Sequence, residues 1–310
     1  MPAKPQIIGL GEIALDWVDQ IPHFPSPDEK IDAISQTFFT GGVTANFLAG
    51  ASKLGASTGF LGAVGSDEYG TLLLDGLKKA EIDASHVVRK DKSAVNFIMV
   101  AKDSGEKIII QSPYMQTTKL EVNEINEEYF SSNCKSLHTT AIHTDLALHC
   151  IEIAKRKKIT VSLDLEKQIA IRGLKVLKPI IQNVDILLPN KEGAKTLTGE
   201  TDIKQAAKKF LEWGPKVIIM TLGGDGCLVT TSTMQERIPA YKVKVIDTTG
   251  AGDAFCASFI VAHVIKGMDV KAAALFANAV AAIKVQNLGA TSGLPTWEQA
   301  AAFQAKNKIK

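Results

Sequence analysis

The chain has 310 residues, enough for one large domain or two smaller ones, and 45% hydrophobic with 22% charged residues is the balance of a soluble globular protein. A net charge of +2 gives no general reason to expect nucleic acid or an anionic membrane as partner. Four cysteines, Cys134, Cys150, Cys227 and Cys256, show no C-x-x-C spacing, which points to a reduced, cytoplasmic chain and away from a disulfide framework.

The opening residues MPAKPQ are polar and carry no signal peptide; the apolar run after them is interrupted by Glu12 and Asp16 and is too short to span a bilayer. In chain order, apolar runs at 6–10, 57–63, 136–139, 160–164, 184–188, 216–221 and 227–231 predict strands. Helical patterns fall between several of them, at 44–54, 68–80, 145–157 and 203–213, and the last third turns helical at 252–266, 270–286 and 297–306. Strands that are continuously apolar and alternate with helices predict a mostly parallel sheet covered by helices. Two segments, at about 12–40 and 93–112, read instead as strands with loops, and MVAKDSGEKIII is a hairpin pattern with Asp103, Ser104 and Gly105 at its turn. They are expected to form a small β-sheet lid, the alternative being a plain extension of the main sheet. No repeat or linker divides the chain, so one domain over 1–310 is expected, with the lid segments inserted in it.

Several chemistries can be set aside. GLGEIA, residues 9–14, matches a dinucleotide fingerprint, but that fingerprint needs a helix to begin there, and the following EIALDWVDQI alternates like a strand before Pro22, Pro25 and Pro27. No P-loop motif occurs; GSDEYGT has its glycine spacing without the lysine. Cys134, His138, His143, His149 and Cys150 crowd one region, but across a strand, a loop and a helix and with no finger spacing. The run Lys155 to Lys158 ends an expected helix, where cations suit the dipole.

VIDTTGAGDAF, residues 245–255, remains. VKVID reads as a strand, TTGAG as a turn and DAFCASFIVAHVIKG as a helix. Unpaired amides of Gly250, Ala251, Gly252 and Asp253 at a helix start form an anion hole, and small residues let a phosphate reach them. Asp253 in the first turn is either a cap or a base aimed at a bound phosphoryl group; the three small residues before it favour the base.

At these residues the sequence resembles the ribokinase or PfkB carbohydrate kinase family. DTTGAGDAF is similar to that family's C-terminal signature, and FFTGGVTANFLAGASKLG to its N-terminal one; the resemblance runs from about Ile7 to about Glu298. It implies a ribokinase-like three-layer α/β/α sandwich with a small β-sheet lid, and an ATP- and magnesium-dependent kinase acting on an alcohol group. Asp253 would be the general base, Gly250, Ala251 and Gly252 the anion hole, and Asp16, Gly41, Gly42 and Asn46 the partners of substrate hydroxyls. Asn190, Thr221, Gly223, Gly226 and Asn278 would line the nucleotide, with Gly252 at its phosphates. Asp247 and Thr249 resemble a monovalent-cation (K+) site of some members, although Asn287 and Gly293 replace its usual arginine and serine.

One departure concerns magnesium. The family's N-x-x-E places a glutamate where this chain has Gly193; Glu192, one residue early and rotated by about 100° on a helix, is the candidate magnesium residue only through a changed helix start. Val43 stands where sugar-phosphate-using relatives carry lysine, which favours a small neutral sugar or polyol as acceptor. Trp17, Phe38, Phe39, Phe97 and Tyr114, near the lid, either stack on a nucleobase or form the lid's own core. With LPTW at 294–297 they keep a nucleoside kinase as the alternative, and a non-catalytic sugar or nucleotide sensor as a further one. The resemblance also allows a homodimer paired through the lid.

Overall fold

Successive side chains of the central strands point into two different cores. Ile8, Leu61, Leu137, Val161, Leu163 and Met220 bury on one face, and Ile7, Phe60, Ile186, Leu188 and Ile219 on the other. A strand buried on both faces needs helices on both sides, and its apolar run is continuous for that reason. The computed structural model describes residues 4–103 and 106–307.

Ten strands form the main sheet. From one edge the order is Gln235–Ile238, Cys227–Thr230, Val217–Thr221, Ile186–Pro189, Thr160–Leu165, Ser136–Thr139, Ile7–Leu10, Thr58–Val64 and Ile82–Asp83, with Val87–Arg89 also pairing with Thr58–Val64. Pairing is parallel except at Val217–Thr221 with Cys227–Thr230 and at Cys227–Thr230 with Gln235–Ile238. Helices Thr144–Arg156, Leu174–Ile181 and Ile203–Glu212 cover the first face. Helices Val43–Lys53, Glu68–Lys79, Ala251–Ile260 and Val270–Lys284 cover the second. This is the expected three-layer sandwich with a mostly parallel sheet.

A second sheet of four strands, in the order Ser35–Gly41, Ala14–Ile21, Val95–Ala101 and Lys107–Ile110, comes from the two segments that broke the βα rhythm. The hairpin pairs Phe97 with Ile110 and Val100 with Lys107; Ser104 and Gly105 of its turn lie outside the described residues. GLGEIA leads into the strand Ala14–Ile21, not a helix.

Two expectations are corrected. VKVID forms no strand: Ile246 and Asp247 both donate backbone N–H groups to the Val285 carbonyl, and Val245 and Ile246 are exposed. The sheet edge that such a strand would join is already formed by Gln235–Ile238, which the sequence reading passed over. The helix expected at 252–266 is α-helical over Ala251–Ile260 and continues as a π turn over Val261–Ile265. Helices Leu174–Ile181 and Lys191–Thr198 were too short to announce themselves by periodicity.

Candidate active site

Helix Ala251–Ile260 starts without a side-chain cap. Its N-cap, Gly250, has φ 74° and ψ 4°, a left-handed conformation that glycine adopts without strain. A side chain there would also collide with the Ala290 carbonyl. A Cβ on Gly252 would meet nothing within 4 Å, so that residue faces open space. Amides at an uncapped helix start beside open space make an anion site.

Asp253 stands at the mouth of this turn, only 8% exposed. Its Oδ2 accepts a hydrogen bond from Asn46 Nδ2 at 2.8 Å. Burial pushes its carboxyl up to about 7; the Asn46 bond opposes this, the Glu166 and Glu12 carboxylates add to it, and the Lys284 ammonium opposes it. Asn46 Oδ1 is buried with no protein partner, which leaves an acceptor for a hydroxyl brought by a ligand.

The lid contributes the opposite wall. Asp16 accepts from Asn96 Nδ2 at 2.8 Å, and Asn96 Oδ1 accepts from the Ser112 amide at 3.2 Å. Burial raises the Asp16 carboxyl, against the Asn96 bond and the Lys107 charge. A Cβ at Gly41 would collide with Asp16 Oδ2, so glycine is what lets this carboxylate lie against the strand Ser35–Gly41. Lys107 Nζ donates to Thr249 Oγ1 at 2.8 Å and so ties the outer lid strand to the anion turn. Asp16, Gly42, Asn46, Asn96, Lys107 and Asp253 face a cleft of about 540 Å³, with Glu12, Glu166 and Arg172 also on its walls. Arg172 is committed to the Ala141 and Ile142 carbonyls.

Glu12, Glu166 and Asp253 line the cleft, and Asp164 is buried near them. Burial raises Glu12, Asp164 and Glu166, as it does Asp253, and Asp164 is lifted further by Glu166, Asp253 and Glu12. Such a cluster favours a cation. Among the described residues no three acidic, histidine or cysteine side chains are spaced to hold a metal between them. An oxygen-only wall suits magnesium, which keeps its waters and takes one or two carboxylates together with substrate phosphates.

Glu192 is not part of that wall. This corrects its candidacy as a magnesium residue: it is exposed in the first turn of Lys191–Thr198, and Asn190 caps that helix with no changed start to bring it inward. The inward position is Gly193, where any Cβ would collide with the Leu165 carbonyl. Asn190 caps this helix, its Oδ1 accepting from Gly193 N at 2.6 Å, and with Glu166 and Gln168 it lines an adjoining pocket. Thr221 bridges to Asn190, and Gly223 and Gly226 follow in the turn after it. Asn278 donates its amide to the Ile238 and Pro239 carbonyls at 3.4 and 3.2 Å and supports the 238–240 turn.

Asp247 and Thr249 are adjacent as expected. Asp247 Oδ1 accepts from Thr249 N and Oγ1, and Oδ2 from Gly289 N. The Asp247 carbonyl, however, receives the ammonium of Lys284 at 3.1 Å. Asn96, Lys107, Glu166 and Lys284 went unread in the sequence; a lone lysine in FANAVAAIKV was the one available signal among them.

The sequence profile described as "pfkB family carbohydrate kinase" matches residues 4–297. A ribokinase of Haemophilus influenzae is 30% identical over 305 residues, covering 95% of this chain and 96% of the relative. The crystal structure of a Thermotoga maritima ribokinase superposes with a TM-score of 0.84 at 31% identity, covering 97% of this chain and 99% of that one. A nucleoside kinase of Methanocaldococcus jannaschii, an archaeal member of the ribokinase family, gives 0.83 at 27% identity, covering 98% and 99%.

Proposed function

The chain belongs to the pfkB family of carbohydrate kinases, and from that premise we propose that it transfers the γ-phosphoryl group of ATP to a hydroxyl of a small neutral sugar or sugar-like acceptor. The observation that carries this reading is the buried Asp253, held by Asn46 beside an uncapped helix start and facing Asp16 across one cleft.

Acceptor hydroxyls bind to Asp16, Asn96 and the free Asn46 Oδ1, which presents one of them to Asp253. Asp253 takes the hydroxyl proton as the oxygen attacks the γ-phosphorus; the bond to the β–γ bridging oxygen breaks and ADP leaves. The Ala251 amide is engaged by the Thr248 carbonyl at 3.1 Å, which corrects its expected place in the anion hole; the amides of Gly250, Gly252 and Asp253 hold the charge on the transferring group. Glu166 takes the role that Gly193 cannot, facing the cation that accompanies ATP. Magnesium, when bound with the nucleotide, supplies charge neutralisation between the phosphates. Asn190, Thr221, Gly223 and Gly226 lie on the nucleotide side.

A neutral acceptor fits the cleft because both of its cations are committed to protein oxygens, Lys107 to Thr249 and Arg172 to two carbonyls. The nucleoside alternative keeps part of its support, since Phe39 pairs with Asp16 across the two lid strands. Trp17, Phe38 and Phe97 alternate away from Asp16 and stack on one another, Trp17 at 4.8 and 5.5 Å from the two phenylalanines, on the outer lid face. With Ile108 and Ile110 they leave an exposed apolar row, which supports a lid-paired homodimer; Phe97→Asp would then halve the mass measured by sedimentation. Four free cysteines suit a reducing cytoplasm.

ADP release with ATP and magnesium, across ribose, fructose, other hexoses, inositols and nucleosides, tests the proposal. Turnover with a sugar that falls about 10²–10⁴-fold in Asp253→Asn supports it. A nucleoside as the preferred acceptor would replace the sugar reading. Ligand binding without turnover would favour the sensor.

A further inference from the structure

We propose that the ammonium group of Lys284 is a built-in replacement for a monovalent cation beneath the phosphoryl-binding turn, so that this chain works without potassium. The proposal rests on the kinase reading for its activity arm and on the structure alone for its binding arm.

Lys284 closes the helix Val270–Lys284 and is 0% exposed, among the largest fully buried side chains of the protein. A buried ammonium is costly unless paired. Here it donates to the Asp247 carbonyl at 3.1 Å and lies near the Asp247 carboxylate, whose own oxygens are engaged by Thr249 and Gly289. Its place at a helix C-terminus adds a favourable dipole. Burial draws its pKa below the usual lysine range, and the Asp247 and Asp253 charges oppose that shift.

The Asp247–Gly250 turn packs on the loop that follows this helix, with the Ala290 carbonyl directly against Gly250. Backbone carbonyls from two touching segments are where a potassium ion would be expected to bind. The tethered ammonium brings the same unit charge to that place and needs no binding equilibrium to stay there. The loop's serine is Ser292, one residue early, and its Oγ lies against Gly289. At position 293 stands Gly293 with φ 75°, and the Asn287 amide occupies the space that a side chain there would need. Asn287 Nδ2 meanwhile donates to the Ile283 carbonyl. The fixed charge lies under the turn whose amides receive the phosphoryl group, and the Lys107 ammonium reaches the same turn from the lid.

Lys284 is thus a positioning residue, holding the turn in place without touching substrate. The test compares potassium chloride with tetramethylammonium chloride at equal ionic strength. Wild-type melting temperature and, where a sugar is turned over, its rate are expected to be the same in both salts. Lys284→Ala opens room at the Asp247 carbonyl; it is expected to lose about tenfold in potassium-free buffer and to regain most of that with potassium or ammonium ions. Its melting temperature is expected to rise with potassium alone, since a bound cation stabilises the folded state. Lys284→Met fills the space and is expected to stay low in both salts. Saturable activation or stabilisation of the wild type by potassium overturns the proposal, as does a folded Lys284→Ala that is fully active and indifferent to salt. If neither variant folds, the wild-type titration decides alone. Silence across the sugar panel would sink the kinase reading while leaving the melting comparison intact.

Discussion

Asn46 and Asp253, 207 residues apart in the chain, are joined by one hydrogen bond of 2.8 Å from the Asn46 amide to the Asp253 carboxylate. It links the starts of two neighbouring helices, Val43–Lys53 and Ala251–Ile260, and it stabilises the ionised form of a carboxyl that burial otherwise keeps protonated near neutrality.

The rate should therefore follow ionisation of Asp253. We expect kcat/KM for the acceptor to rise with pH to a plateau, with an apparent midpoint near the value of about 7 to which Asp253 is raised. Asn46→Ala removes a bond that favours the ionised form, so its midpoint should move to higher pH. A pH–rate profile that does not move in this variant would remove Asn46 from control of the base.

Stability should move the other way. Asp253 holds its proton more tightly when folded, at about 7, than at its ordinary 3.8, so between those values the folded state binds more protons and stability falls as pH rises. Glu12, Asp164 and Glu166 are raised too and act in the same direction. Thermal melts of the ligand-free protein across this range should show a declining melting temperature, with a shallower slope in Asp253→Asn.

Restoring the family glutamate should fail. Gly193→Glu forces a side chain onto the Leu165 carbonyl and should cost about 1–3 kcal/mol of stability without a gain in rate. Glu166→Gln, by contrast, should leave the fold unchanged and raise the magnesium concentration needed for half-maximal rate. A stable, faster Gly193→Glu would show that the helix Lys191–Thr198 can shift outward.

Adding one methyl to the anion turn separates folding from chemistry. A Cβ on Gly252 meets no protein atom, so Gly252→Ala should melt like the wild type. Standing where the phosphoryl group approaches, it should lower kcat by about tenfold or more, on the scale of losing one anion-hole donor. Differential scanning calorimetry and steady-state rates together decide it.

The Lys107 clasp should be modest in energy. Its side chain reaches Thr249 from an exposed strand, so solvent screening limits the contact to about 0.5–1 kcal/mol, and Lys107→Met should raise the acceptor KM roughly two- to fivefold. A change in kcat alone would place Lys107 on the transferring group and not on lid closure.

The sequence alone determined the layered fold, because burial on both faces writes continuous apolar strands between amphipathic helices. It also pointed to the uncapped helix start at Gly250, through the three small residues Gly250, Ala251 and Gly252. That Asp16, Asn46 and Asp253 share one cleft was anticipated through the family resemblance. Only the tertiary structure decided which of the other residues serve the site. Glu192 turned outward because a helix rotates each residue by a fixed angle, and Glu166 lines the pocket beside Asn190 from another strand end. Asn278 met two carbonyls, Trp17, Phe38 and Phe97 fell on the outer face by strand alternation, and Lys284 met Asp247 across 37 residues. Each of these depends on pairing between distant segments, which local periodicity does not encode.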